Sequence, residues 1–411
     1  MLALVLDASR RVTAALGYRD FRLLWFGALT SSIGTWMQKV AQAWLIVTLT
    51  GTASAFFLGL DSFVGELPIL LFILIGGVVA DRYNRRRLML MSQYIQMAAA
   101  FTLAVLVFTN VAHVWHILVL SAITGIAQAF GGPAYQSLIP LLVEKQHLPN
   151  AIALNSIQFN LARVIGPIVA GAALAAFGMV ACFGLNGLSF LFVIAAILAL
   201  RVVHAPERGT AGLRDQLKGG LQYVRGNPQL VTLTTVGFLT AFLGFPLYTM
   251  LPIIAKDVFQ QDVRLYTNLM TCAGGGAVIG ALVVAWIGKH RHMGLMLLTL
   301  QGLCGLSVIA FSFSHVILLS EVLLFITGSM LVMCLSLTTS LVQLLAPAEL
   351  RGRVVSIYMV AFRGGSPIGG LVSGWLVTQL GSAPTVLAIN GALLTIVAAI
   401  ALTGNHGLRE V

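Results

Sequence analysis

The sequence predicts an all-α integral membrane protein of twelve transmembrane helices, and three observations carry that expectation. The 411 residues are 58% hydrophobic and only 9% charged, with a mean hydropathy of +0.95. A soluble domain carries about a quarter charged residues because its surface faces water. Apolar runs also recur along the whole chain, each near the ~20 residues that a helix needs to cross ~30 Å of hydrocarbon. Finally, the basic residues sort onto alternate loops, which is the charge pattern of a multi-pass membrane protein.

Polar, Gly/Pro and charged punctuation places the spans near 21–49, 53–80, 88–109, 114–139, 151–177, 180–201, 229–254, 266–288, 293–313, 316–345, 353–378 and 383–403. The longest gap, 202–228, gathers Glu207, Arg208, Arg214, Asp215, Lys218 and Arg225 just after Arg201. The expected organisation is therefore an N-terminal six-helix bundle (1–201), a cytoplasmic linker (202–228) and a C-terminal six-helix bundle (229–411). Within the linker, DQLKGGLQYV could form an amphipathic helix on the membrane surface.

With these spans, one side of the membrane collects Arg10, Arg11, Arg19, Arg22, Arg82, Arg85, Arg86, Arg87, Lys145, Arg201, Arg208, Arg214, Lys218, Arg225, Lys289, Arg291, Arg351, Arg353 and Arg409. The other side holds only Lys256 and Arg264. The positive-inside rule puts both termini and the linker in the cytoplasm. The net charge of +11 is thus a topology signal and not a nucleic-acid face. Cys182, Cys272, Cys304 and Cys334 fall inside apolar runs without metal-like or paired spacing, so neither a disulfide framework nor a metal site is expected. The N-terminus places Arg10 and Arg11 after a short apolar stretch, inverting the order of a signal peptide, and reads as a short cytoplasmic helix.

Between the second and third spans lies GGVVADRYNRRRLML, residues 76–90. It resembles the signature loop of the major facilitator superfamily, G-x-x-x-D-R-x-G-R-R, which Gly77, Asp81, Arg82, Arg85 and Arg86 match position for position. Asn84 stands where the family has Gly; as the non-Gly residue best able to adopt a left-handed turn, it is expected to preserve the tight loop. A small residue at 77 permits close helix approach, and Asp81 can accept charge-assisted hydrogen bonds. The resemblance implies that this loop latches the outward-facing state. FRLLWFGALTSSIGTWM at 21–37, GGPAYQSLIPLLVEKQHLPNAIALNS at 131–156 and LRGRVVSIYMVAFRGGSPIGG at 350–370 resemble the bacterial branch of efflux proteins that includes enterobactin-type exporters.

The two halves echo each other. ARVIGPI at 162–168 matches FRGGSPI at 362–368, pairing Arg163 with Arg363, Pro167 with Pro367 and Ile168 with Ile368 at one offset of 200 residues. Parallel repeats of six helices are a recurrent transporter architecture. Gly166-Pro167 through Gly171 also resembles the end of the family's antiporter motif, G-P-x-x-G-G, with Ala170 replacing one Gly and the upstream glycines absent. A closely packed, kinkable helix pair explains the same residues. For Arg163 and Arg363, repetition favours a structural role, bonding carbonyls freed at a kink.

Ionisable groups at membrane depth cost about 2.5–3.5 kcal/mol on insertion scales, so each needs a partner, water or a task. Taking Gly51 as the turn, Lys39 on the first span and Asp61 and Glu66 on the second lie roughly 15–22 Å below it. Lys39 is expected to pair with Asp61 or Glu66, with one carboxylate taking up a proton when the pair opens; a static ion pair joining the two helices is the competing reading. Glu321, His113, His116 and His315 fall near the outer ends and read as solvated or interfacial groups. Trp36, Met37, Trp44, Phe63, Tyr135, Phe159, Phe238, Phe245 and Tyr248 are candidate cavity residues.

These readings converge on a secondary active transporter in the cytoplasmic membrane, working as a monomer without a cofactor. Its expected partners are the lipid bilayer, protons and a small amphipathic or apolar substrate such as a drug, siderophore or lysolipid, exported by alternating access. A facilitator or importer of a polar metabolite is the alternative within transport. A membrane-embedded enzyme finds no support, because no HExxH, GxSxG or Walker loop occurs. A channel fits the duplicated halves less well.

Overall fold

A computed structural model describes residues 14–201, 221–288, 290 and 292–404. Among them there is no β-strand. The helices are α1 (Arg19–Thr50), α2 (Ser54–Arg82), α3 (Arg85–Phe108), α4 (Val114–Leu138), α5 (Leu148–Ala199), α6 (Pro228–Gly244), α7 (Pro246–Ile253), α8 (Val263–Ile287), α9 (Met293–Ser312), α10 (Ile317–Leu345), α11 (Arg351–Leu380) and α12 (Ala383–Gly404).

Nine helical stretches among the described residues are long and apolar enough to cross a membrane. One of them, Arg19–Phe72, runs from α1 into α2. Another, Lys145–Ala199, is broken at Gly178, whose backbone adopts φ 75° and divides α5 into two arms. Positive φ is open to Gly without a Cβ clash, so the turn between the predicted fifth and sixth spans falls there. The seventh crossing is assembled from α6 and α7, joined at Phe245-Pro246, because proline has no N–H to continue the ladder. The eleventh crossing is α11, whose hydropathy is diluted by six glycines and three arginines. Each of the twelve predicted spans therefore corresponds to a helical stretch among the described residues.

By contact the chain forms two compact units, one of Met1–Gln42 and Gly65–Thr210 and the other of Ala43–Val64 and Ala211–Val411. The predicted amphipathic segment 215–224 lies mostly outside the described residues, and only its last part, within the helical stretch 221–226, is seen. In the first unit, a core of Phe21, Leu24, Trp25, Met89, Leu138, Phe190 and Ile194 is closed at one end by polar ties. Trp25 Nε1 donates to Leu154 O (2.9 Å), the Ala15 N–H to Asn150 Oδ1 (2.8 Å), and Tyr18 Oη meets His147 Nδ1 at 2.9 Å. The Tyr18 phenol is held above its ordinary pKa by partial desolvation and by the negative charge of Glu144. In the second unit, Leu230, Leu233, Val236, Leu297, Leu337, Leu341 and Tyr358 belong to the main core of that unit.

Candidate functional site

The helix turn between α2 and α3 differs from expectation at Asn84. Its backbone is extended (φ −64°, ψ 109°), not left-handed, and its side chain caps α3 by accepting from the Arg87 N–H at 3.2 Å. Asn at an N-cap satisfies one of the donors a helix start leaves unpaired, so capping replaces the left-handed turn expected of this position. Arg85 donates to Ser137 O (3.2 Å) and Arg86 to Leu198 O, tying this loop to α4 and to the end of α5. Gly77, Asp81 and Arg82 lie in the last turns of α2, and their contacts fall outside the described residues.

At membrane depth the first unit presents a charged and aromatic cluster. Lys39 on α1 and Glu66 on α2 each sit roughly 16–18 Å along their helices from the α1–α2 turn, and Lys39 Nζ lies 3.9 Å from Glu66 Oε1. The pair is loose and open, since the side chains are 57% and 40% exposed. A charge facing hydrocarbon at that depth would cost about 2.5–3.5 kcal/mol on insertion scales, so an exposed pair there calls for a polar surrounding. Of the two carboxylates expected near Lys39, the first unit contains Glu66, whereas Asp61 falls in the second.

Trp36, one turn before Lys39, is the centre of the cluster. Lys39 Nζ stands 5.2 Å and Arg163 Cζ 5.8 Å from its ring centroid, both at cation–π range, and Phe159 meets it edge-on at 6.2 Å. Gly166 makes this possible: a Cβ there would collide with the Cβ of Trp36, so only glycine lets α5 approach α1 at this level. The stretch that resembles the antiporter motif thus acts in this unit as the bed of Trp36. Pro167 is buried beside it, and Gly171 is partly buried one turn on. In the second unit Pro367 is likewise buried within α11, but Arg363 is exposed.

Amides also bridge the helices of this unit. Gln38 Oε1 accepts from Asn186 Nδ2 (2.6 Å), Gln42 Nε2 donates to Ser121 Oγ (3.0 Å), and Gln158 Nε2 bonds Ser32 Oγ (2.8 Å) and Ala28 O (3.2 Å). Carrying no charge, these residues escape a search for ionisable groups. Their signal is nonetheless present, since Gln38, Gln42, Gln158 and Asn186 are polar amides inside apolar spans, where each needs a partner.

The apolar helices among the described residues, together with the family and relatives of this chain, define a polytopic membrane transporter and not an enzyme. The chain matches the family described as "Transmembrane secretion effector", of the major facilitator superfamily, over residues 12–410, and it belongs to that family. It is 26% identical to the staphyloferrin A transporter of Staphylococcus aureus, over 83% of this chain and 85% of that one. It is 27% identical to the multidrug efflux pump Tap of Mycolicibacterium fortuitum, over 90% and 92%, and 25% identical to the macrolide efflux protein A of Streptococcus pyogenes, over 70% and 71%. Among solved structures it is similar in fold to a peptide transporter of the POT family in complex with sulfate (TM-score 0.73, 13% identity, 95% of each chain). It is also similar to a bacterial homolog of the human lysosomal transporter Spinster, inward-facing and occupied (TM-score 0.72, 15% identity, 94% of this chain and 96% of that one).

Proposed function

We propose that this transporter exports a small amphipathic or apolar compound across the cytoplasmic membrane in exchange for protons, by alternating access of two six-helix bundles (1–201 and 229–411) joined by the cytoplasmic linker. The relatives named for a siderophore, a macrolide and multiple drugs support export. In this reading the protein works as a monomer with both termini cytoplasmic, and the loop of Gly77, Asp81, Arg82, Arg85 and Arg86 holds one end state closed.

The observation that supports the coupling is the Lys39–Glu66 pair, 3.9 Å apart with both side chains partly exposed. Apolar surroundings favour a neutral carboxyl, and an adjacent ammonium favours the carboxylate. Trp36 and Arg163 set where the ammonium rests, because the indole face attracts both cations.

The test is a binding screen of the purified protein against a carboxylate siderophore, a macrolide, a lysolipid and a cationic dye, followed by transport of each binder in proteoliposomes with an imposed pH gradient. Export that accelerates when protons can flow inward against it is expected. Equal rates with and without the gradient would favour facilitated diffusion, in which Lys39–Glu66 is a static tie between α1 and α2.

A further inference from the structure

The second unit includes the last two turns of α1 and the first turns of α2, Ala43–Val64. Three features within that unit hold this segment. The Trp44 indole stacks on Tyr266 of α8, with centroids 6.2 Å apart and planes at 16°. The start of α2 runs against α11 so closely that a Cβ at Gly59 would strike the Gly370 carbonyl, and one at Gly374 the Ala55 carbonyl. The third feature is Lys256, whose Nζ donates to the Val47 carbonyl at 3.1 Å.

Val47 lies in the last turn of α1. Carbonyls there lack the intrahelical donors available further back, and the helix dipole places partial negative charge on them. An ammonium at that point caps the helix. Ser54 Oγ approaches the same carbonyl at 3.5 Å from the start of α2.

Lys256 is delivered by an unusual backbone. Residues Ile254–Val258 form a π-helical turn directly after α7, with the Phe259 N–H bonded to Ile254 O, five residues back (3.1 Å). Such turns are rare, and single ones are frequent at functional sites. The wider turn shifts the residues within it, Lys256 among them, away from the positions a continuous α-helix would give them. Charge placement points the same way. Lys256 and Arg264 are the two basic residues on their side of the membrane in the predicted topology, where cations are otherwise avoided. Arg264 is exposed and lies 3.9 Å from Asp262, whereas Lys256 is committed to a backbone carbonyl of α1.

We propose that Lys256 is a positioning residue of the transport cycle, a latch that caps α1 to hold residues 43–64 on the second unit in one end state and lets go as the other forms. A cation–carbonyl contact suits a reversible latch, because both partners are readily solvated when it opens. The glycine seam and the Trp44–Tyr266 stack give the closed arrangement its register. This inference rests on the alternating-access reading but requires neither proton coupling nor a particular substrate.

The experiment measures distances by double electron–electron resonance between spin labels on Thr52→Cys and Gln260→Cys, two exposed positions of this unit, in a Cys272→Ser background that leaves the buried native cysteines. The full-length protein is reconstituted in nanodiscs. Lys256→Met is expected to enlarge the long-distance population about two- to fivefold, the size of one cation–helix-terminus interaction. Lys256→Arg, which keeps the cation, is expected to restore the original distribution. Unchanged distances in Lys256→Met overturn the latch. An equal shift in Lys256→Arg also overturns it, since packing and not charge would then hold the segment. The measurement needs no substrate, so it stands apart from any failure of the proton-coupling test.

Discussion

The two units solve the same problem, packing helices in lipid, and differ in the groups they place between the helices. In the first, helices are joined by amide and hydroxyl pairs at Gln38–Asn186, Gln42–Ser121 and Gln158–Ser32, and the charged cluster sits among them. In the second, helices meet backbone to backbone: a Cβ at Gly276 would strike the Phe325 carbonyl, at Gly280 the Ser329 carbonyl and at Gly369 the Phe242 carbonyl. Its larger side chains are aromatic, with Phe245 6.0 Å from Phe362 and Phe362 stacked on Tyr358 at 6.3 Å. Without a hydrophobic force between helices in lipid, association depends on close van der Waals contact or on interhelical hydrogen bonds. Each unit uses both means, since a Cβ at Gly125 of the first would strike the Gly65 carbonyl and, in the second, Asn390 Nδ2 donates to Ser373 Oγ (3.0 Å) and Ser307 Oγ meets Thr327 Oγ1 (2.8 Å); what sets the first apart is the charged cluster among its amides.

That contrast breaks most visibly at the glycines. Gly276→Val places branched carbon against the α10 backbone and is expected to cost about 3 kcal/mol or more, at the upper end of overpacking penalties, which a loss of folded protein in thermal denaturation would report. Gly166→Val in the first unit should cost both stability and function, about 1–3 kcal/mol in thermal denaturation, because the added carbons meet the Trp36 Cβ and press on the α1 backbone at Ile33 and Met37. By displacing Trp36 it also removes the seat of Lys39 and Arg163, and transport by the folded fraction is expected to fall about tenfold.

Smaller changes sharpen the difference by their sign. Gln158→Leu removes two hydrogen bonds of the first unit and should destabilise it by about 1 kcal/mol. Gln301→Leu in the second unit should do the opposite. Gln301 is fully buried and neither atom of its amide has a partner among the described residues, so an apolar replacement of similar volume is expected to stabilise by about 1 kcal/mol. Urea or thermal denaturation of both variants side by side checks the pair.

Much of this architecture is legible in the sequence because lipid leaves few alternatives. A span must be long, apolar and punctuated, and the predicted boundaries near 177–180 and 313–316 coincide with the Gly178 break and the α9–α10 turn. The motif at 76–90 and its echoes point to the family. Pairings are harder to read, since they depend on helix phase and on distant packing. Asp61 and Glu66 look like equivalent partners for Lys39 by depth, yet five residues separate them by about 140° around a helix, so they cannot share a face. Trp36 as the meeting point of two cations depends on Gly166, a contact 130 residues away in sequence. The π-helical turn that aims Lys256 leaves no periodicity to detect.

The central claim, that Glu66 exchanges its bond to Lys39 for a proton during export, is tested most directly by proton counting. Reconstituted wild-type protein and Glu66→Gln are given a substrate gradient, and internal pH is followed with an entrapped dye while substrate exchange is measured in the same vesicles. The wild type should move protons against substrate, and Glu66→Gln should retain substrate exchange with proton movement lost. Equal proton movement in both proteins would contradict the assignment of coupling to this pair.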